Sequence, residues 1–188
     1  MRILGIAGSL RKASLNRQLL SALASLAPEG CEVEQRDISG IPVYDQDLED
    51  EGMPTAVESL KEACAQSDGL LLVSPEYNQG VPGPLKNAID WMSRPPADIG
   101  RVFRGRPVAI TGATPGPNGT RAAQYAWLPT FRGLGLQLWF GGQLYVPGAT
   151  NALGDSGRFN DEKLEERARQ FMSGFADFIR VQSVGQVQ

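Results

Sequence analysis

The chain has 188 residues, a formal net charge of −3, two cysteines and no histidine. That length gives one domain a sizeable core, and the acidic balance argues against a nucleic-acid binder, which carries a basic face. Without histidine, Ser-His-Asp catalysis, the usual zinc sites and the commonest general base drop out, so any chemistry falls to a cofactor.

Residues 2–7 are apolar and β-rich and predict a first strand. Leu15, Leu19, Leu23 and Leu26 recur at helical spacing until Pro28-Glu29-Gly30 stops the helix. Residues 31–37 mix charges into a strand pattern, and 41–54, rich in Asp, Gly and Pro, read as a loop. A helix over 54–66 puts Val57, Leu60 and Cys64 on one face, with Pro54 tolerated in its first turn and Cys64 a core thiol. Residues 70–73 are a continuous apolar run, and a helix follows Pro82-Gly83-Pro84 and ends before Arg94-Pro95-Pro96. Residues 108–110 are another apolar strand, 120–132 a helix that Pro129 ends or kinks, and 136–146 a strand with a bulge at Gly141-Gly142. Residues 160–180 form the last helix, and the polar tail after Val181 is expected to fray. No run approaches the roughly 20 apolar residues of a membrane span. The chain opens directly into a strand with no visible leader, so the expected compartment is the cytoplasm. The cysteines make no CxxC and no metal spacing, so no metal site and no iron–sulfur cluster is expected.

Five repeats of strand and helix predict one α/β domain over 1–188, a three-layer α/β/α sandwich on a five-stranded parallel sheet. The runs at 3–7, 70–73 and 108–110 are almost wholly apolar, as central strands covered on both faces must be. The charged run at 31–37 suits an edge. These clues give the strand order 2-1-3-4-5, and ligands then sit beyond the carboxyl ends of strands 1 and 3.

Three loops leave that edge. Residues 8–16, Gly-Ser-Leu-Arg-Lys-Ala-Ser-Leu-Asn, gather hydroxyls, a guanidinium and free N–H groups at a helix start. They suit a terminal phosphate, or else form an ordinary βα turn with Ser14 as N-cap. The pattern is neither GxxxxGK[ST] nor GxGxxG, which disfavours a P-loop and a Rossmann dinucleotide site. Residues 74–80, stiffened by prolines on both sides, offer backbone groups and the Tyr77 ring to a planar heterocycle, or form a plain proline-rich turn. Residues 111–120 are small throughout and let backbone pass close to a flat ligand, although alone they read as a simple loop. Together the three suit a mononucleotide with a large planar ring.

Residues 8–16, Pro75-Glu76-Tyr77-Asn78 and Leu85-Lys86-Asn87-Ala88-Ile89-Asp90-Trp91 resemble the NADPH-dependent FMN reductase family, nearest its quinone and chromate reductase type. The resemblance implies a flavodoxin-like fold and non-covalent FMN. Its phosphate falls to Arg11, Ser14, Leu15 and Asn16 with Ser9 adjacent, and its ring and ribityl chain to Pro75, Glu76, Tyr77 and Asn78. Gly112 and Thr114 match the third flavin-side loop, where members often carry Gly-Gly and this chain has Gly119-Thr120. It implies ping-pong hydride transfer from NAD(P)H to quinones, azo compounds, chromate or free flavin, with no catalytic side chain named. The alternatives are a flavodoxin-like electron carrier and a flavin-binding redox sensor. It also implies a homodimer or homotetramer, with Trp91 either at that interface or in the core.

Overall fold

In the computed structural model, which describes residues 1–154 and 157–185, six parallel strands make one sheet: β2 (Glu32–Arg36), β1 (Arg2–Ala7), β3 (Gly69–Val73), β4 (Pro107–Ala113) and β5 (Gln137–Leu138) lie side by side in that order, with β6 (Leu144–Val146) also on β4. β1 (Arg2–Ala7) pairs in register with β2 (Glu32–Arg36) through Leu4 and Glu34, and with β3 (Gly69–Val73) through Leu4 and Leu70. β4 (Pro107–Ala113) extends the expected 108–110 strand at both ends and lies beside β3. β3 is buried throughout whereas β2 is largely exposed, so composition had separated centre from edge correctly.

Alternate residues face opposite layers. Ile3, Leu71, Val73 and Ala109 pack with α1 (Leu15–Ser25) and α9 (Glu162–Gly185). Leu4, Ile6, Leu70, Leu72 and Val108 pack with α3 (Thr55–Ala65), α4 (Gly83–Met92) and Trp127 and Phe131. Cys64 lies in this second layer, its thiol donating to Val102 O at 3.4 Å, and burial pushes its pKa up to about 11.

The structure corrects several boundaries. The strand expected over 136–146 is two strands, β5 (Gln137–Leu138) and β6 (Leu144–Val146), making six in all. Between them the chain leaves the sheet and wraps the Trp139 indole, which packs edge-on against Phe171 at 5.1 Å. A Cβ at Gly142 would stand 2.6 Å from that indole, so this path requires glycine. The loop at 41–54 contains α2 (Gln46–Glu51), capped by the Asp45 carboxylate accepting from Asp47 N–H at 3.0 Å. The short α5 (Ile99–Val102) follows a 3₁₀ turn at Pro96–Asp98. The helix expected over 120–132 is α6 (Arg121–Ala126) and α7 (Leu128–Leu134), with Pro129 in the first turn of α7. α8 (Ala149–Ala152) was not foreseen. α9 is helical through Gly185, and 186–188, the end of the tail expected to fray, lie outside the described residues.

Trp91 is fully buried within its own chain. Its indole N–H donates to Pro42 O at 2.9 Å and its ring meets Tyr44 edge-on at 4.9 Å. Asn87 closes the same bracket, donating to Pro42 O at 2.7 Å and accepting from Tyr44 N–H at 2.8 Å. These contacts place Trp91 in the core, and the four-residue spacing of Asn87 and Trp91 puts both on the face of α4 that holds the 42–44 segment.

Lys61 is 1% exposed, with its ammonium 2.6 Å from Asp98 and 3.2 Å from Glu58. The hydrogen bond from Lys61, reinforced by Arg101, holds the Asp98 carboxyl below the ordinary carboxylate range against the opposing cost of burial. A depressed folded pKa gives stability that is present above the unfolded value and lost as pH falls through the folded one. Asp98→Asn should therefore cost about 2 kcal/mol at pH 7, and the gap to wild type should close below about pH 4. Thermal denaturation of both proteins from pH 7 to pH 3 checks this; a gap unchanged by acid would contradict it.

Candidate active site

The first loop is built by the start of α1. Ser14 is extended, and its hydroxyl accepts from Asn16 N–H at 3.2 Å and Arg17 N–H at 3.3 Å, so Ser14 is indeed the N-cap. Asn16 is buried and clamps the end of β4, donating to Ala113 O at 3.0 Å and accepting from Ala113 N–H at 2.9 Å. Arg17, which the sequence reading overlooked, donates from Nε to Ser9 O at 3.1 Å and lies 2.7 Å from Asp37 beyond β2. Its position three residues after the N-cap was the available signal.

With those groups committed, other donors remain. The N–H groups of Lys12, Ala13, Ser14 and Leu15 have no acceptor among the described residues. Neither Arg11 nor Lys12 enters an ion pair there. Ser9, Arg11, Ser14, Leu15 and Asn16 line one side of a cavity of about 110 Å³. Pro75, Glu76, Tyr77 and Thr114 line the other side, so nine of the expected residues meet at one point. Asn78 and Gly112 do not line it.

The second loop is stiffer than its prolines alone require. Tyr77 and Gly80 exchange backbone hydrogen bonds, at 3.4 and 3.1 Å. Asn78 and Gln79 between them have φ of 50° and 60°, a type I′ turn. Glutamine in this region costs about 1–2 kcal/mol, and asparagine less. The loop is tied inward as well. The Trp127 indole N–H donates to the Ser74 hydroxyl at 3.0 Å, and the Glu76 carboxylate accepts from the Ala123 backbone N–H at 3.1 Å. The Tyr77 hydroxyl reaches that of Ser9 at 3.5 Å, closing the first two loops on each other.

The third loop starts later than expected, because Thr111, Gly112 and Ala113 belong to β4. Gly112 is interior: a Cβ there would drive deep into Ser74 O and the Thr120 hydroxyl. Its place is close packing beneath the site. Thr114 continues the edge, its N–H donating to Val146 O at 3.0 Å. A second cavity of about 360 Å³ adjoins the first at Glu76 and reaches Gln79, Asn118, Arg121 and Tyr125.

The donor set fits a phosphate monoester: free N–H groups at the start of an 11-residue helix, the Ser9 hydroxyl and an uncommitted guanidinium. The buried Pro75 and the locked turn beside it supply a rigid edge for a flat ring. FMN therefore fits the residues present.

This sheet order, with an anion-ready loop at the β1/β3 switch point, defines a flavodoxin-like mononucleotide-binding α/β protein. The family model for NADPH-dependent FMN reductase matches residues 1–151, and the chain belongs to that family. It is 40% identical over 180 residues to an NAD(P)H-dependent FMN reductase of Pseudomonas aeruginosa, covering 96% of each chain. It is 37% identical to a 2-hydroxy-1,4-benzoquinone reductase of a Burkholderia species, covering 96% of this chain and 97% of the relative. The solved structure of FerB, a flavoenzyme NAD(P)H:(acceptor) oxidoreductase from Paracoccus denitrificans, superposes with a TM-score of 0.88 at 32% identity, covering 96% of this chain and 98% of FerB.

Proposed function

We propose that this chain binds FMN without a covalent bond and reduces quinones at the expense of NADH or NADPH in a ping-pong cycle. One observation carries the reading: unpaired backbone donors, Arg11 and the rigid edge at Pro75 to Tyr77 converge on one cavity at the switch point. When bound, FMN supplies the two-electron chemistry, accepting hydride from the dinucleotide and returning it to the acceptor. The protein's part is placement. Arg11, Ser9 and the N–H groups of Ser14 and Leu15 hold the phosphate, while Asn16 and Arg17 hold those groups in position. The locked second loop fixes the ring edge, and Glu76 keeps that loop against α6. Asn78 is assigned to the ring side through its backbone. Gly112 supports the loops from below. Quinones are the favoured acceptors because relatives of known acceptor reduce them; azo compounds, chromate and free flavin belong in the same assay. A homodimer or homotetramer in the cytoplasm, where reduced nicotinamides are supplied, completes the proposal. No helix among the described residues is long and apolar enough to cross a membrane.

Anaerobic stopped-flow mixing of the FMN-loaded protein with NADPH or NADH tests the activity. Rapid bleaching of the flavin band, restored by 1,4-benzoquinone, is expected. Persistence of the oxidised spectrum would favour an electron carrier or sensor instead.

A further inference from the structure

Just past the end of β3 a buried polar relay runs beneath the second loop. The Trp127 indole N–H donates to the Ser74 hydroxyl at 3.0 Å, and that hydroxyl donates to Pro75 O at 3.0 Å. Both side chains are fully buried. An indole N–H can only donate. It therefore takes a lone pair of the hydroxyl and leaves the Ser74 proton directed at Pro75 O. Trp127 is itself held by packing: at the junction of α6 and α7 its ring stacks on Phe131 at 5.7 Å.

The pyrrolidine ring fixes φ of Pro75, so ψ is the rotation left to orient its carbonyl. The bond from Ser74 sets that rotation. In a planar trans peptide the carbonyl and the following N–H point in opposite directions. With Pro75 O turned to the buried hydroxyl, the Glu76 N–H points away from it. That N–H has no acceptor among the described residues, and Pro75 and Glu76 both line the first cavity. The chain is anchored on either side of this peptide. Ser74 N–H donates to Thr111 O at 2.8 Å, and the Glu76 carboxylate accepts from Ala123 N–H at 3.1 Å. The tilt of the peptide between those anchors is what the Ser74 hydroxyl governs.

We infer that Ser74 and Trp127 are positioning residues for the flavin: their relay aims the Glu76 N–H at the ring edge. Neither side chain lines the cavity, so both act through the Pro75–Glu76 peptide. The inference rests on the reading that FMN occupies that cavity. A fixed donor favours the form of the ring that carries more negative charge at that edge, which is the reduced form. The relay therefore strengthens binding of reduced FMN more than of oxidised FMN and raises the midpoint potential of the bound flavin.

Ser74→Ala removes the hydroxyl and strands the buried Trp127 N–H, so Tm should fall. In fluorescence titration its FMN dissociation constant should rise about two- to tenfold, the loss of one neutral hydrogen bond. The midpoint potential of its bound flavin should fall below that of wild type. Trp127→Phe keeps a ring on Phe131 and should move both quantities in the same direction by less. The double variant separates positioning from packing. On the Trp127→Phe background, Ser74→Ala strands no donor and should cost less Tm than it does in wild type. The double variant's FMN constant should nevertheless be at least that of Ser74→Ala, with an equally lowered potential. The double variant also carries the test if Ser74→Ala folds poorly. A flavin affinity and potential that recover along with Tm in the double variant would overturn the inference, since packing alone would then explain both. Wild-type affinity and potential in Ser74→Ala or in Trp127→Phe would overturn it as well. Failure of the FMN reading would appear separately, as wild-type protein that takes up no FMN, and would remove this inference with it.

Discussion

Asn16→Asp is expected to destabilise the protein by about 3 kcal/mol at neutral pH. The substitution is nearly isosteric, so packing hardly changes. The chemistry does change: Nδ2 now donates to Ala113 O at 3.0 Å, and a carboxylate oxygen in its place would face that carbonyl with nothing to offer. The site is buried, so the new charge is poorly solvated. Burial and the facing carbonyl raise the pKa of the introduced Asp in the folded state, because the protonated acid can donate where the carboxylate cannot. A raised folded pKa means that the penalty is greatest above it and is relieved as pH falls through it. The Tm deficit against wild type should be about 6–12 °C at pH 8 and clearly smaller at pH 5. FMN affinity should fall with it, since Asn16 fixes the phosphate loop to β4. A deficit equal at both pH values would show that the Ala113 clamp is not what the side chain supplies.

Gly112→Ala should cost about 3 kcal/mol or more and depress FMN binding at once. The added methyl would overlap the Ser74 carbonyl oxygen and the Thr120 hydroxyl, both buried, and backbone cannot swing aside as a flexible side chain can. Relief requires β4 to move away from the strand that launches the second loop. Gly116→Ala is the control. Its Cβ would meet nothing nearer than Thr114 Oγ1 at 3.8 Å, so stability within about 0.5 kcal/mol of wild type is expected. Urea denaturation of the two variants decides the matter, and equal midpoints would refute the close-packing argument.

The parts legible in the sequence are those that local composition encodes. Apolar runs at 3–7, 70–73 and 108–110 marked the strands covered on both faces, and the charged run at 31–37 marked the edge. The phosphate loop was legible because its donors lie within nine consecutive residues. What escaped depends on partners far along the chain. Asn16 reads as an amide free to meet a ligand, until β4 arrives 97 residues later and takes both of its polar ends. The strand over 136–146 has strand composition throughout, yet the chain leaves β4 after Trp139, whose N–H still donates to Val108 O at 2.9 Å while its indole packs onto Phe171 and Phe175. Trp91 shows the converse, since an aromatic on a helix face serves an interface or a core equally well until the 41–45 segment packs over it. The second cavity joins residues 76–79 to 117–125, two segments that do not announce each other in sequence.

The central claim is that residues 8–16 hold the FMN phosphate, and Arg11 exposes that claim to one measurement. Its side chain is exposed and enters no ion pair among the described residues, so its removal leaves the apoprotein's Tm unchanged. Fluorescence titration of Arg11→Ala with FMN should then give a dissociation constant about ten- to a hundredfold above wild type, the loss of one charge-assisted hydrogen bond. An FMN affinity equal to that of wild type would contradict the account.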